Sequence, residues 1–436
     1  MRVFAAMIFA CWITCGPAAA AGQSWLVVSD IHFDPFAKGA SPSSYGRDSN
    51  ARLLDSTIAQ MRRVQAHPSV VVIAGDFLAH HFARLAQRHG AAPAQAALQA
   101  MRTMAARFNR AFPSARFIVA LGNNDDYCGD YRSEGDDAYQ RALAGIWAPL
   151  VTRNHARTSF NTTFLRGGYY SDVVLDGGLQ VLVLNDVPWS IFARGSCEAT
   201  TGNPAAAERR WLARALAQPH ATAVIGHIPA GIDASTTALL RGLWSVPFLK
   251  PSDDGMLVRE LGTASVRWAL FGHTHRFDLR LIGGVPALLV ASISPVYRNN
   301  PAFYVVSLGR DGALRDVQAE YFDETTRRWR TPGSFDRTFG VTRLDRGAFE
   351  AIHRRIALDP RVRALWQAQS VSWSTHAALP NWRYAWCAQR VPSAGYAACA
   401  HVRTRARLVW SVLAIIAIAL LLLLVVSIRR LASKHR

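Results

Sequence analysis

Residues 25–32 read Trp-Leu-Val-Val-Ser-Asp-Ile-His, an apolar, β-branched run that ends in two potential metal ligands, Asp30 and His32. Apolar runs of about four to eight residues predict buried strands. A run of this kind followed by a polar motif recurs further along the chain. The later motifs are Gly75-Asp76, Gly122-Asn123-Asn124-Asp125, Gly226-His227 and Gly272-His273-Thr274-His275. The chain therefore places candidate ligands where several predicted strands end.

The five motifs supply two aspartates, one asparagine amide and four histidines, namely Asp30, His32, Asp76, Asn123, His227, His273 and His275. Such a mixed set of oxygen and nitrogen donors suits divalent metals. Two metals roughly 3.5–4 Å apart can bind a phosphate ester, activate a water and stabilise the leaving oxygen. The motif series therefore predicts a metal-dependent phosphoesterase.

The order of the apolar runs indicates the fold class. Strand-like runs at 25–29, 70–74, 116–121, 179–185, 222–225 and 266–271 alternate with helical patterns at 50–65, 94–112, 137–147 and 204–217. This alternation predicts an α/β layered fold. Runs at 277–282, 287–291, 303–308 and 314–322 indicate antiparallel strands of a second sheet, and 344–370 is again helical. In such folds ligands gather beyond the carboxyl ends of strands, so the five motifs should converge.

Glycine precedes four of the predicted ligands, Asp76, Asn123, His227 and His273. Because glycine adopts backbone conformations closed to other residues, these positions predict tight turns that re-aim the next side chain.

Both ends of the chain carry apolar segments. Residues 1–21 combine Arg2, an apolar stretch and a run of alanines, which is the pattern of a secretory signal. Residues 408–428 are apolar apart from two serines, and about 20 such residues span a bilayer. Since the signal would export the body, the basic tail 429–436 should stay cytoplasmic. These segments predict a periplasmic or extracellular body on a single-pass membrane anchor.

Four cysteines lie outside the predicted signal and span: Cys128, Cys197, Cys387 and Cys399. Four cysteines in an exported chain allow three disulfide connectivities. Proximity in sequence favours Cys387 with Cys399, and Cys128 with Cys197 then follows; the alternative is that some remain free and buried.

The net charge of +19 comes from 49 basic and 30 acidic residues. A basic excess attracts polyanions. The basic residues are nearly all arginine, with lysine only at 38, 250 and 434, and alanine is abundant, so the composition of a GC-rich genome also explains the charge. Without a basic cluster, zinc finger or basic helix, no specific nucleic-acid binding is expected. The sequence does not decide the oligomeric state.

The motif series resembles that of the calcineurin-like metallophosphoesterases. Ser29-Asp30-Ile31-His32-Phe33-Asp34-Pro35, Gly226-His227-Ile228-Pro229-Ala230-Gly231, Ser292-Ile293-Ser294-Pro295 and Asn299-Asn300-Pro301-Ala302-Phe303 are similar to the acid-sphingomyelinase-like phosphodiesterase branch. The resemblance covers about 24–325. It implies a four-layer α/β sandwich of two mixed sheets flanked by helices. The expected organisation is a signal (1–21), a catalytic domain (22–325), a helical, cysteine-bearing region (326–402) and an anchor with its tail (403–436).

The resemblance also assigns the ligands. One metal would be held by Asp30, His32 and His275, and the other by Asn123, His227 and His273, with Asp76 bridging both. A metal-activated water would then attack phosphorus. Zinc is the first choice because histidines dominate, while manganese or iron would also fit the oxygen donors.

The sequence departs from the family pattern at Asn124, where most relatives have the histidine that protonates the leaving oxygen. An amide can donate a hydrogen bond but cannot supply that proton. His80 is the predicted replacement acid, with His81 as the alternative, and Asp125 is expected to hold the Asn124 amide.

Three functions remain open from the sequence: a phosphodiesterase or phosphomonoesterase, a polyphosphatase, and a metal-bearing binder of phosphorylated ligands without turnover. The substrate would be a phosphorylated small molecule, a lipid or polyphosphate. Gly-Asn-Asn-Asp is also similar to endopolyphosphatases, while the branch-like stretches around His32, His227 and Pro295 favour a phosphodiester.

Overall fold

The computed structural model describes residues 22–402, except 40, 43, 134, 136, 155–156, 176–177, 198–202 and 378–380, together with residue 418. The predicted signal and, apart from 418, the predicted span and tail lie outside the described residues. Among the described residues, no helix has the length and apolar character needed to cross a bilayer.

Thirteen strands make up the described β-structure: β1 Gln23–Val28, β2 Val70–Ala74, β3 Arg116–Ala120, β4 Tyr170–Val174, β5 Leu179–Val183, β6 Thr222–Ile225, β7 Val266–Phe271, β8 Asp278–Ile282, β9 Val285–Leu289, β10 Ala302–Leu308, β11 Leu314–Asp323, β12 Arg328–Arg330 and β13 Arg390–Val391. They form a six-stranded sheet in the order β12-β11-β10-β1-β2-β3 and a seven-stranded sheet in the order β13-β8-β9-β7-β6-β5-β4. Strands β1, β2 and β3 are parallel in the first sheet, as are β5, β6, β7 and β9 in the second. Both sheets are therefore mixed.

The described helices are α1 Ala51–Val64, α2 Phe82–Arg88, α3 Pro93–Ala111, α4 Ala138–Val151, α5 Leu165–Gly167, α6 Pro204–Leu216, α7 Ala234–Leu239, α8 Pro251–Leu261, α9 Phe335–Phe339, α10 Arg346–Leu358, α11 Pro360–Ser370, α12 Trp382–Ala388 and α13 Tyr396–Cys399. Several helices begin where the sequence has a capping residue or a proline. Asn50 caps α1 by accepting the Leu53 N–H, and Pro93 occupies the first turn of α3, where its missing N–H leaves no hydrogen bond unmade.

The side chains of β5 show why the layers stack. Val181 and Val183 lie in the main apolar core together with β1 and β2, whereas Leu182, and Leu184 just after the strand, lie in a second core with α6 and α8. Successive residues of a strand face opposite sides of a sheet, so the apolar run Val181, Leu182 and Val183 must be covered on both faces. Trp25 of the first sheet meets Trp268 of the second edge-on, with ring centroids 5.7 Å apart. Two mixed sheets flanked by helices confirm the predicted α/β sandwich.

The region after residue 325 completes this sandwich. Strand β12 extends the first sheet, and β13 pairs in parallel with β8 at the edge of the second. The predicted helix over 344–370 is in fact two helices. Asp359 ends α10 and caps α11 by accepting the Arg361 N–H, and Pro360 cannot continue a preceding helix.

Two disulfides join Cys128 to Cys197 and Cys387 to Cys399, each with Cα atoms 5.9 Å apart. Both favoured pairings are confirmed. The sequence reading missed several elements, among them α2, α8, β4 and β13.

Candidate metal centre

The ligand-bearing motifs all follow parallel strands. Those after β1, β2 and β3 leave the first sheet, and those after β6 and β7 leave the second. Because the carboxyl ends of parallel strands meet at one edge, side chains distant in sequence can converge. One group consists of Asp30, His32, Asp76 and His275, and another of Asp76, His227 and His273; within each group the potential ligand atoms lie within 4.8 Å of one another. Asp76 belongs to both groups.

The ring nitrogens of the first group approach one another closely. His32 Nε2 lies 3.0 Å from His275 Nε2 and 3.4 Å from Asp76 Oδ2. His275 Nε2 lies 3.4 Å from Asp30 Oδ1. Several nitrogen and carboxylate lone pairs therefore point into one small volume, an arrangement that a cation stabilises.

In the second group, His227 Nε2 lies 3.2 Å from both Asp76 Oδ2 and Asn123 Oδ1. The opposite ring nitrogen donates elsewhere, since His227 Nδ1 hydrogen-bonds the Ala74 carbonyl at 2.7 Å. His32 does the same, its Nδ1 donating to the Leu78 carbonyl at 3.1 Å. A donor bond from one nitrogen orients the ring and leaves the other nitrogen as a metal ligand. All seven predicted ligands thus lie together, and their donors fit two divalent metals.

The backbone of five ligand residues adopts an unusual, left-handed conformation. Asp30, His32, Asp76, His273 and His275 have φ values of 49°, 45°, 55°, 68° and 55°. Residues other than glycine rarely adopt positive φ, and each such residue costs on the order of 1–3 kcal/mol. The surrounding strands must therefore impose this conformation, which turns each ligand away from its strand.

Two glycines permit the close approach of the sheets. Gly75 has φ of 88°, and a Cβ there would lie 2.6 Å from His227 Nδ1. A Cβ on Gly272 would overlap Ser29 Oγ and lie 2.8 Å from Asp30 Oδ2. Of the four glycines expected to adopt special backbone conformations, only Gly75 has positive φ; Gly122, Gly226 and Gly272 do not, and Gly272 is required for space.

Burial keeps most of the histidines neutral. It lowers the pKa of His32 to about 4 and that of His273 to about 3, and it lowers the pKa of His275 well below its usual value. Neutral imidazole is the form that binds metals.

Asp76 and His227 form a charged pair. Burial opposes the charge on each, but the Asp76 carboxylate raises the pKa of His227 to about 10, and His227 in turn holds the pKa of Asp76 well below its usual value. Asp76 therefore remains a carboxylate that requires a neighbouring positive charge, which a metal would supply.

Asn124 contacts the shared carboxylate directly. Its backbone N–H donates to Asp76 Oδ1 and its side-chain amide to Asp76 Oδ2, both at 2.8 Å. The expectation that Asp125 would hold this amide is wrong. The Asp125 carboxylate instead accepts backbone N–H groups of Gly122, Asp76 and Phe77, at 2.7, 3.0 and 2.6 Å, and so fixes the turns that carry the ligands.

His80 lies beside the first ligand group. Its ring stacks on His32 with centroids 3.9 Å apart, and its Nδ1 donates to Asp48 Oδ1 at 2.9 Å. Burial alone would lower the pKa of His80, but Asp48 raises it above its usual value. His81, by contrast, is 69% exposed and pairs with Asp130.

The sequence did not predict the roles of two carboxylates, Asp186, which is buried, and Asp48, which is partly buried. Asp186 accepts the backbone N–H groups of His227 and Ile228 at 2.8 and 2.9 Å and so positions that ligand. It follows the predicted strand 179–185, so the strand-end rule could have found it. Asp48 lies on the loop between the predicted strand 25–29 and the predicted helix 50–65, and only the structure brings it to His80.

A cleft of about 780 Å³ opens beside His273. Its lining includes the aromatic residues Tyr131, Phe192, Phe248, Tyr297 and Tyr384 and the basic residues Arg241 and Arg276. The rings of Phe248 and Tyr131 lie 5.5 and 6.1 Å from that of His273, and the Tyr297 ring lies 4.7 Å from that of His275. A molecule that reaches the ligands through this cleft must therefore contact aromatic side chains.

An α/β sandwich whose strand ends bring together two ligand groups with one shared carboxylate defines the class of dinuclear-metal phosphoesterases. The chain belongs to the calcineurin-like phosphoesterase family, whose model matches residues 25–277. The family implies metal-dependent phosphoric ester hydrolysis and two divalent metals, for which the residues described above are the candidate ligands.

The relatives confirm the resemblance to the sphingomyelinase-like branch. The chain is 27% identical to sphingomyelinase phosphodiesterase D of Dictyostelium discoideum, over 59% of this chain and 57% of that protein. It is 23% identical to human acid sphingomyelinase-like phosphodiesterase 3b, over 82% of this chain and 85% of that protein. Among solved structures, it is similar to GAP50, the anchor in the inner membrane complex of Plasmodium, at 10% identity and a TM-score of 0.42, over 74% of this chain and 89% of the other.

Proposed function

We propose that this chain is a dinuclear-metal phosphodiesterase, with zinc as the preferred metal. The observation that supports the proposal is the pair of ligand groups joined by Asp76, beside which His80 lies on the ring of His32. Two divalent cations, when bound, would polarise the phosphoryl group and activate a water. Four imidazoles favour zinc, while the carboxylate and amide oxygens also suit manganese or iron.

The chain's own residues supply the remaining steps. Asn124 donates two hydrogen bonds to Asp76 and so holds the shared carboxylate in one orientation. When the bond from phosphorus to the leaving oxygen breaks, its electron pair stays on that oxygen, which takes a proton from His80 Nε2. Asp48 stabilises the protonated ring through Nδ1, since a carboxylate partner fixes the tautomer and favours the imidazolium form. A proton donor beside the ligand groups favours turnover over binding alone.

The lining of the cleft favours a diester over polyphosphate. Among the described lining residues, five are aromatic and two, Arg241 and Arg276, are basic. A long polyanion needs basic side chains along its whole length, because its binding depends on charge neutralisation. A diester with an organic substituent carries one negative charge and can pack its substituent against aromatic rings. The relatives' names, which include phosphodiesterase, support the same choice.

Turnover of bis-(4-nitrophenyl) phosphate should exceed that of long-chain polyphosphate at matched metal loading. Release of nitrophenol and of phosphate, measured on one preparation, gives the comparison. Faster cleavage of polyphosphate, with a steep loss on adding salt, would contradict the diester assignment. Two bound metals without turnover of any phosphate ester would instead favour a binder of phosphorylated ligands.

We also propose that the body is exported and anchored by residues 408–428, with the tail 429–436 in the cytoplasm. The signal-like sequence at 1–21 supports export, and so do the two disulfides, which persist mainly in oxidising compartments. A reporter enzyme that works only in the cytoplasm, fused after Arg436, should therefore be active. A reporter at that position that is active only outside the cytoplasm would contradict the orientation.

A further inference from the structure

Several strongly exposed apolar side chains lie together around the cleft. Among the residues described up to 402, five large hydrophobic side chains are strongly exposed: Phe192, Leu239, Tyr297, Leu358 and Leu365, at 48%, 81%, 56%, 82% and 46%. The first three line the cleft beside His273. We call Phe192, Leu239 and Tyr297 the apolar rim. Exposed apolar groups that cluster at one opening mark an interaction surface, whereas scattered ones are ordinary.

Each member of the apolar rim has an exposed arginine within two positions along the chain. Arg194 follows Phe192, Arg241 follows Leu239, and Arg298 follows Tyr297. Among the described residues, none of these three arginines forms an ion pair. Apolar side chains interspersed with unpaired cations are the composition of surfaces that lie on anionic membranes, where rings and leucines enter the acyl boundary and arginines meet phosphate groups.

The end of the described chain lies on the same side of the molecule. Val402 packs with Ile232 and Ala234, at the start of the short helix α7 that ends at Leu239. The predicted span begins at Leu408, six residues later, a distance of at most about 20 Å for an extended chain. A bilayer that holds residues 408–428 would therefore be within reach of α7.

We propose that the apolar rim docks on an anionic lipid bilayer, so that the cleft opens toward the headgroups. The substrate of the phosphodiesterase would accordingly be a diester presented at that surface. This substrate assignment rests on the proposed function, whereas docking itself requires no catalysis. The opposite charges of the arginines and the lipid phosphates identify the partner.

Depth-dependent fluorescence quenching tests the docking on the full chain. Leu239→Cys and Leu358→Cys place a thiol at matched positions, 81% and 82% exposed, of which only Leu239 belongs to the apolar rim. The four cysteines of the body are disulfide-bonded and do not compete for the label. The vesicles contain equal parts of phosphatidylcholine and phosphatidylglycerol, with a quencher on the acyl chains.

The label at position 239 should be quenched, and the label at 358 should not. Arg194→Glu and Arg241→Glu should each weaken docking roughly fivefold or more, since one basic residue near an anionic surface contributes about this factor. Equal quenching at both positions, or at neither, would overturn the inference. Selective quenching that is unchanged on pure phosphatidylcholine would overturn the identification of an anionic surface.

Hydrolysis of a soluble bis-aryl phosphate, measured on the same preparations, separates this inference from the proposed function. Hydrolysis without selective quenching would refute docking alone. Selective quenching without hydrolysis of any ester would refute the phosphodiesterase, and with it the substrate assignment, but not the docking.

Discussion

Asp76→Ala should remove both metals from the protein and lower turnover at least about 10³-fold, because two metals together contribute several kcal/mol to transition-state stabilisation. Asp76 is the one residue shared by the two ligand groups. It also accepts two hydrogen bonds from Asn124 and pairs with His227, so its loss disturbs both halves of the site. Metal content per protein, after reconstitution with zinc and separately with manganese, measures the effect.

Two further variants make the Asp76 result specific. His275→Ala should lower the occupancy of one metal site more than that of the other, since His275 belongs to the first ligand group only. Asp172→Asn alters another buried carboxylate, which pairs with Arg116, and should leave the metal content unchanged. Two metals retained by Asp76→Ala, or no metal bound by the unaltered chain, would contradict the dinuclear assignment.

His80→Ala should slow hydrolysis of an alkyl ester about 10²–10⁴-fold, the usual loss when a general acid is removed. The same change should have little effect on a nitrophenyl ester, because nitrophenolate leaves without a proton. The expectation follows from the position of His80 against His32 and from its hydrogen bond to Asp48. The ratio of the two rates, compared between variant and unaltered protein, is the measurement.

Asp48→Asn should reproduce the same leaving-group pattern at smaller amplitude, since an amide orients His80 but stabilises its charged ring less. His81→Ala provides the matched control, because that neighbouring histidine is exposed and pairs with Asp130. An equal slowing of both esters by His80→Ala would assign His80 another role, such as support of the His32 ring.

Local sequence patterns were sufficient for the α/β layered fold and for the convergence of the ligands, whereas the four-layer sandwich was implied by the resemblance to the family. Apolar runs such as 70–74 predict strands, and the polar residues that follow them must lie at the strand ends. The periodicity of a strand also explains why β5 faces two cores. None of these inferences requires knowledge of distant contacts.

Other features depend on contacts that no local pattern encodes. Asp48 lies on a loop, and its partnership with His80 depends on how two distant segments pack. Strand β13 has two residues, too short for a periodic signal, and forms only because β8 offers an open edge. Asp125 was assigned to the wrong partner because two of the backbone N–H groups that compete for its oxygens, those of Asp76 and Phe77, lie more than 40 positions away.

The seven ligands are divided between the two sheets: four follow β1, β2 and β3, and three follow β6 and β7. A cation held by ligands from both sheets would therefore cross-link two separately hydrogen-bonded halves of the protein. Ions that bind only the folded state add their binding free energy to its stability. The metal centre would then stabilise the packing of the two sheets in addition to supporting catalysis. Chelation of the metals should therefore lower the stability of the folded state at the interface between the sheets.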